Sequence, residues 1–481
     1  MAREADAALQ AKILQIGFVV VFVAAVMYSV RSLMFGSGML VKLVALGLVS
    51  AAIVVALDER YWLFSILLFG FSGTLPVVKF TGTELGSIIF VATFFVRMAL
   101  RRDVIVFRSM RLIWAALPFL AWMCLVWSMN PVGMNIFGSS SIGGRFYLKV
   151  LLAFSAMFCL FFIPFSDNDC KHAAVVYAIG NVLFVLRAVL FGEQDQFGAP
   201  IETHYQYAHL YYVAIFFLCR YSAVDILSRF WVFLGFLTTF GLTVFSGNRH
   251  SVGEAVLCGV AVPFLLKRER LRTLALMGFV AFFLAVVVSG QGRLWDLPYS
   301  IQRSMSFLPG KWDYRLEEYG FNDNFRATLR MYAREHIAEN PWFGDRGFSM
   351  DMEEMSWTYS QTVNTGDIYS LHILSRNWHN VWLGMAADFG IPLSVAWALF
   401  SCAVLIFGLR NCRAFPPGSW RETAFVFFFM LCAVSFVDFF YAGGHTAKTP
   451  ERWFVWVGLM VAIHDGSLRS RRDNVLLQNS L

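Results

Sequence analysis

The sequence predicts an all-α polytopic membrane protein with about fourteen transmembrane helices and one large, partly helical loop outside the membrane. Of the 481 residues, 58% are hydrophobic and only 15% are charged, whereas soluble domains carry about 25% charged residues. Apolar runs of roughly 20 residues, the length that crosses a bilayer, follow one another along most of the chain. These observations exclude a soluble enzyme that is held by a single anchor.

The apolar runs define the elements in chain order. The first run lacks a small-residue cleavage site and is followed by many others, which predicts a retained helix and not a removed signal peptide. The predicted spans are centred on residues 14–30, 39–57, 61–78, 85–100, 112–128, 146–165, 173–191, 206–221, 229–245, 251–266, 273–289, 379–409, 422–440 and 452–465.

A long polar stretch divides the chain into three parts. Residues 1–289 are predicted to form an N-terminal transmembrane bundle of about eleven helices. Residues 290–377 form a loop domain that is rich in aromatic side chains, which gives it enough apolar mass to fold against the membrane surface. Residues 378–481 are predicted to contain about three further transmembrane helices and a polar tail.

Clusters of basic residues predict the orientation. Cytoplasmic loops carry an excess of lysine and arginine, and with about fourteen spans all four clusters lie on one side. Both termini are therefore predicted to be cytoplasmic, and the loop domain periplasmic, in a bacterial inner membrane. Because the net charge of +7 is concentrated in these loops, it indicates topology and not nucleic-acid binding. The clusters are Arg97, Arg101, Arg102, Arg108 and Arg111; Lys267, Arg268, Arg270 and Arg272; Arg410, Arg413 and Arg421; and Arg469, Arg471 and Arg472.

The eight cysteines give no sign of a metal centre or a disulfide framework. They form no C-x-x-C pair, none lies in the loop domain, and most lie within predicted spans. A buried free cysteine behaves as a small apolar residue. The sequence therefore predicts neither a metal site nor a cofactor.

A row of arginines in the loop domain is the first candidate for a functional site. Residues 324–340 are predicted to be helical, and Pro341 ends the helix because the residue before a proline resists helical geometry. Arg326, Arg330 and Arg334 then project from one face of that helix. Such a row would bind an anion, since the planar guanidinium group suits phosphate oxygens. Alternatively, Glu335 or another neighbouring acidic residue neutralises the row.

Further candidates lie at the ends of two predicted spans. Arg249 and His250 follow the turn between the spans at 229–245 and 251–266. A charge near the membrane is costly and often functional, although an arginine can also extend to the interface as an ordinary flanking residue. His379 opens the span after the loop domain, where a neutral imidazole could accept a proton from a hydroxyl group. Asn380 beside it could orient a ligand or cap the helix, and a lone interfacial histidine can also be purely structural.

Taken in order, these residues resemble the bacterial O-antigen ligase and O-antigen polymerase superfamily. Its pattern has an arginine after a Ser/Gly-rich turn, an arginine and a proline within a long periplasmic loop, and a His-Asn pair that opens the next span. In this chain the corresponding residues are Ser246 to Arg249, then Arg326 to Pro341 followed by Phe343-Gly344, then His379-Asn380, and finally the Gly390-Ile391-Pro392 stretch. The similarity covers residues 246–395.

The resemblance implies a metal-independent, inverting glycosyltransferase of the GT-C type. Such an enzyme transfers a glycan from undecaprenyl pyrophosphate to an acceptor hydroxyl on the periplasmic face. Arg249 and Arg326 would bind the pyrophosphate and His379 would activate the acceptor. His250, Arg330, Arg334 and Asn380 would contact the substrate.

The acceptor and the wider function class stay open. A ligase would use a lipid A-core sugar as acceptor, and a polymerase would use another lipid-linked repeat unit. A flippase or other transporter of lipid-linked oligosaccharides is a more distant alternative. Transporters usually place ionisable residues near the middle of the membrane and contain related halves, whereas the charges singled out here lie at one predicted face.

Overall fold

The fold is taken from a computed structural model. The residues that it describes are 48–50, 52–53, 56–57, 60–71, 73–75, 80–101, 111–129, 144–194, 200–201, 203–266, 278, 282–306, 308–314, 323–345, 378–441 and 448–478. The predicted span at 14–30, much of those at 39–57 and 273–289, and loop residues 346–377 lie outside this description.

The described chain is predominantly helical. Two short antiparallel hairpins, Thr74–Leu75 with Phe80–Thr81 and Glu193–Gln194 with Pro200–Ile201, interrupt it. The α-helices are α1 Leu63–Gly70, α2 Gly82–Arg101, α3 Arg111–Met129, α4 Gly144–Leu160, α5 Asp167–Phe191, α6 Thr203–Gln206, α7 Tyr211–Arg220, α8 Ala223–Ser228, α9 Phe230–Phe245, α10 Arg249–Leu266, α11 Tyr299–Met305, α12 Asp323–Glu339, α13 Val381–Phe389, α14 Ile391–Asn411, α15 Trp420–Tyr441 and α16 Lys448–Gln478.

Six of these helices, α2, α3, α5, α10, α14 and α15, are long and apolar enough to cross a membrane. The apolar parts of α4 and α9 are shorter. At the centre of the bundle, α16 packs against α4 and α15, while α14 packs against α3. The chain is thus an all-α membrane protein, as predicted, and the described residues leave the number of fourteen spans a prediction.

Two predicted spans differ from the described structure. The span at 61–78 is the eight-residue helix α1 followed by a hairpin, because Gly73 and Pro76 interrupt the apolar run and neither favours a continuing helix. The span at 206–221 is divided into α6, a 3₁₀ turn and the ten-residue helix α7. Apolar composition therefore identified buried segments there, but not their helical length.

The prediction of one span over 379–409 was wrong. The segment forms two helices, α13 and α14, which are separated at Gly390. Gly390 has φ +90°, a conformation that only glycine adopts readily, and Pro392 then lies in the first turn of α14. The break places a short helix ahead of the membrane-crossing one.

The turn after α12 packs into this break. The backbone N–H of Asp345 donates to the carbonyl of Ala387 at 2.9 Å, and the N–H of Ile391 donates to the carbonyl of Pro341 at 2.9 Å. Phe343 stacks on Trp122 of α3, with ring centroids 5.4 Å apart. The loop domain is thereby fixed to the membrane bundle at the α13–α14 junction.

Replacing Gly390 by alanine should destabilise this junction. A Cβ there would lie 1.8 Å from the carbonyl oxygen of Trp342, and a positive φ costs a non-glycine residue of order 1–3 kcal/mol before the clash is counted. We expect a clear fall in the thermal unfolding temperature in detergent. The matched control is Gly241→Ala, where a Cβ would have no atom within 4 Å; equal unfolding temperatures for the two variants would contradict the packing described above.

The bundle has two chemically different ends. At one, here called the Arg421 end, the backbone N–H of Arg421 donates to Asp167 at 3.1 Å and Arg220 donates to the carbonyl of Gly418 at 2.9 Å. The opposite end, here called the His379 end, contains the starts of α10 and α13 and the end of α15. The basic residues Arg410 and Arg413 therefore lie across the length of α14 from His379.

Candidate functional site

His379 occupies a constrained turn directly before α13. Its φ is +50°, and non-glycine residues in this region cost free energy and cluster at functional sites. The preceding Trp378 is buried and donates from Nε1 to Asp388 Oδ1 at 3.2 Å. The turn therefore holds the backbone of His379 in one orientation.

Asn380 fixes the other side of the turn. Its Oδ1 accepts from the backbone N–H of Leu383 at 2.9 Å, which caps α13, and its Nδ2 donates to the carbonyl of Phe440 at 3.3 Å. An asparagine cap of this kind satisfies a backbone donor that the helix cannot. Asn380 thus joins the His379 turn to the end of α15.

Arg249 is the first residue of α10 and follows the turn that begins at Ser246. Gly247 in this turn has φ +75°, and the side chain of Asn248 accepts from the backbone N–H of His250 at 3.2 Å. Arg249 is half-buried, and its Nε donates to the carbonyl of Arg303 at 2.9 Å. The turn therefore directs the Arg249 side chain towards α11.

Arg249 lies within electrostatic range of two further arginines, Arg303 and Arg326, whose positive charges act on it. Arg303 contributes through α11, where its guanidinium group lies 5.0 Å from the ring centre of Tyr205 and donates to the Tyr205 hydroxyl. Arg326 contributes from α12. Because like charges repel, three guanidinium groups at one place create a strongly positive potential that would favour an anion.

The predicted arginine helix is present as α12. Its apolar side, which includes the fully buried Leu329 and Ala333, faces the bundle, and α12 packs on α13. Arg326, Arg330 and Arg334 are all exposed, and Nε of Arg330 donates to the carbonyl of Arg326 at 3.2 Å. Of these three, Arg326 has a described electrostatic interaction with Arg249, which favours it over Arg330 as the partner of Arg249.

His250 points into a polar cavity of about 220 Å³ beside this turn. Its Nε2 lies 2.5 Å from Asp438 Oδ2 and 3.8 Å from Glu254 Oε1. Arg452 also lines the cavity and donates to the Tyr212 hydroxyl at 3.0 Å. The residue predicted to bind substrate is therefore in contact with two acidic side chains from α10 and α15.

A short series of contacts connects the predicted site residues. His250, next to Arg249, contacts Asp438, and Asp438 lies two residues before Phe440, whose carbonyl accepts from Asn380. Arg249, His250, His379 and Asn380 are thus placed at one end of the bundle, and Arg326 reaches the same end through its charge interaction with Arg249. The arrangement could hold an anion close to a group that accepts a proton.

Three residues of this region were missed by the sequence reasoning. Glu254 and Asp438 are ionisable residues inside predicted spans, and a search for intramembrane charges would have found both. Arg303 lies on a seven-residue helix in a polar segment. No sequence signal distinguished it from the other loop arginines, because its proximity to Arg249 arises from the packing of α11.

No family model and no curated protein matches this chain.

Proposed function

We propose that the protein is a membrane glycosyltransferase that transfers a glycan from undecaprenyl pyrophosphate to an acceptor hydroxyl. The observation that carries this proposal is the gathering of Arg249, Arg303 and Arg326 at the same end of the bundle as His379. Arginines suit phosphate oxygens, and a lipid-linked donor requires a protein that is embedded in the membrane.

In the proposed reaction, the acceptor oxygen attacks the anomeric carbon from the side opposite the leaving group. The carbon–oxygen bond to the pyrophosphate breaks, and the electron pair stays on the pyrophosphate. Arg249, Arg303 and Arg326 would stabilise that growing negative charge, which is usually the largest catalytic contribution. His379 would take the proton of the acceptor hydroxyl, and attack from the opposite side inverts the anomeric centre.

The proposed setting is a bacterial inner membrane with the His379 end in the periplasm. Arg410, Arg413 and Arg421 lie at the far ends of α14 and α15, and the positive-inside rule assigns that end to the cytoplasm. A donor that is already activated by its pyrophosphate needs no nucleotide outside the cytoplasm.

Replacing Arg326 by alanine should strongly slow the release of undecaprenyl pyrophosphate. Removing one donor that stabilises an oxyanion costs about 10²–10³-fold in kcat, so we expect a loss of that order. The measurement is lipid pyrophosphate release by purified protein with a lipid-linked glycan and an acceptor. Arg229→Ala is the matched control, because Arg229 is exposed, pairs with Asp225 and lies across α9 from the site. Equal rates for the two variants would remove Arg326 from the proposed site.

The same assay separates the two acceptor classes. A polymerase lengthens the glycan when the lipid-linked repeat unit is the only substrate, whereas a ligase of the proposed type requires lipid A-core. If neither acceptor supports release by the wild-type protein while the lipid-linked glycan still crosses a vesicle membrane, the transporter alternative replaces the transferase proposal.

A further inference from the structure

Three side chains with metal-ligating atoms meet in the cavity behind Arg249. They are His250 and Glu254, one turn apart on α10, and Asp438 near the end of α15. Their ligand atoms all lie within 4.8 Å of one another. The two printed separations from His250 Nε2, 2.5 Å to Asp438 and 3.8 Å to Glu254, bracket the roughly 3.3 Å between ligand atoms in a tetrahedral zinc site.

The charges in this cluster are not balanced by the histidine alone. Glu254 is 5% exposed, and its Oε1 has no hydrogen-bond partner among the described residues. Its 3.8 Å distance to His250 is too long for a hydrogen bond. A buried carboxylate normally pairs with a cation or coordinates a metal ion, and a second carboxylate from Asp438 lies beside it. The cluster therefore has room for a further positive charge.

Other histidine–carboxylate pairs provide a comparison within the same molecule. His336 lies 3.2 Å from Asp345 and His464 lies 3.3 Å from Asp465. Among the described residues, only the His250 cluster brings a third ligating group within range. Three protein ligands with one position left for water is the arrangement of many catalytic and exchangeable zinc sites.

We propose that His250, Glu254 and Asp438 bind one divalent transition-metal ion, with zinc as the preferred ion. An imidazole nitrogen favours zinc over magnesium or calcium, which prefer oxygen ligands alone. The cavity of about 220 Å³ leaves space for a bound water. This assignment departs from the expectation, drawn from the sequence, that the chain has no metal site.

The ion would join the start of α10 to the end of α15. These are the helix ends that carry Arg249 and, through the Phe440 carbonyl, the Asn380 side chain. Its role is to position the turn that contains Arg249, and the transfer step does not require it as an electrophile. Zinc binding is measured without a glycan donor or acceptor, so the inference does not depend on the proposed function.

The test is zinc binding by the full-length protein in detergent after treatment with a chelator and its removal. We expect about one zinc ion more per chain in the wild type than in Asp438→Asn, and at least about tenfold weaker binding in Glu254→Gln. Zinc should also raise the unfolding temperature of the wild type. His464→Ala is the matched control, because it removes a histidine from a pair that lacks a third ligand.

Two outcomes would overturn the site. The first is equal zinc content in the wild type and both carboxamide variants, which would indicate that the two carboxyl groups share a proton instead of a metal ion. The second covers the case in which the variants fail to fold: the wild type is then titrated with cobalt(II), and the absence of a visible absorption band that zinc abolishes would exclude a nitrogen-containing site. Displacement of zinc by an equal concentration of magnesium would likewise reject the ligand assignment.

Discussion

His379→Ala should reduce glycan transfer by about 10²–10⁴-fold, the usual contribution of a positioned general base. The residue lies at the His379 end with φ +50°, between the buried Trp378 and the capping residue Asn380. Because the arginines that bind the pyrophosphate would remain in place, the lipid-linked donor should still bind. The measurement is the rate of undecaprenyl pyrophosphate release at saturating donor.

A second substitution separates the imidazole from the backbone strain. His379→Asn keeps a residue that tolerates positive φ and removes the base, so it should be as inactive as His379→Ala. His379→Gly should match or exceed the thermal stability of the wild type, since glycine adopts this conformation without strain. His172→Ala, at the start of α5 at the Arg421 end, is the control. If His379→Asn retains full activity, the imidazole is not the base.

Lys149→Met should cause the largest loss of stability. Lys149 Nζ lies 3.6 Å from Glu84 Oε1, and the side chains are only 4% and 3% exposed. Removing one partner of a buried pair leaves an uncompensated charge, which costs about 3–5 kcal/mol. We expect a large decrease in the unfolding temperature in detergent, because this pair joins α2 to α4 within the bundle.

The double variant Lys149→Met with Glu84→Gln tests the cause. Replacing both charges removes the uncompensated carboxylate, and the glutamine oxygen can still accept the hydrogen bond from the Thr81 backbone, which is 2.6 Å in the wild type. Stability should therefore recover substantially. Lys311→Met, at an exposed position, should have little effect. A double variant that is less stable than Lys149→Met would show that the lysine stem and not its charge supports the packing.

Much of the membrane bundle was predictable from composition. The predicted spans at 112–128, 251–266 and 422–440 agree closely with α3, α10 and α15. The α12 helix was predicted within one residue at each end, because Pro341 limits it and its apolar positions recur with helical spacing. Periodicity and length are properties of local sequence, so these elements could be recognised one at a time.

The break at Gly390 was not recognised, although its residues were noted. An apolar run that contains glycine and proline is compatible with one kinked helix or with two separate helices. The choice is made by the turn at residues 341–345, whose backbone donors and acceptors bond across the junction. This contact joins residues far apart in the sequence, and hydropathy does not report it.

By itself, the sequence determined that the protein is helical and embedded in a membrane, and it drew attention to Arg249, Arg326 and His379 as polar residues beside apolar runs. The tertiary structure alone decided which charged groups meet: Arg303 with Arg249, and His250 with Glu254 and Asp438. The physical reason is that hydrophobic burial depends on composition over a window of residues. A binding site depends on the distances between a few side chains, and those distances are set by how separate helices pack together.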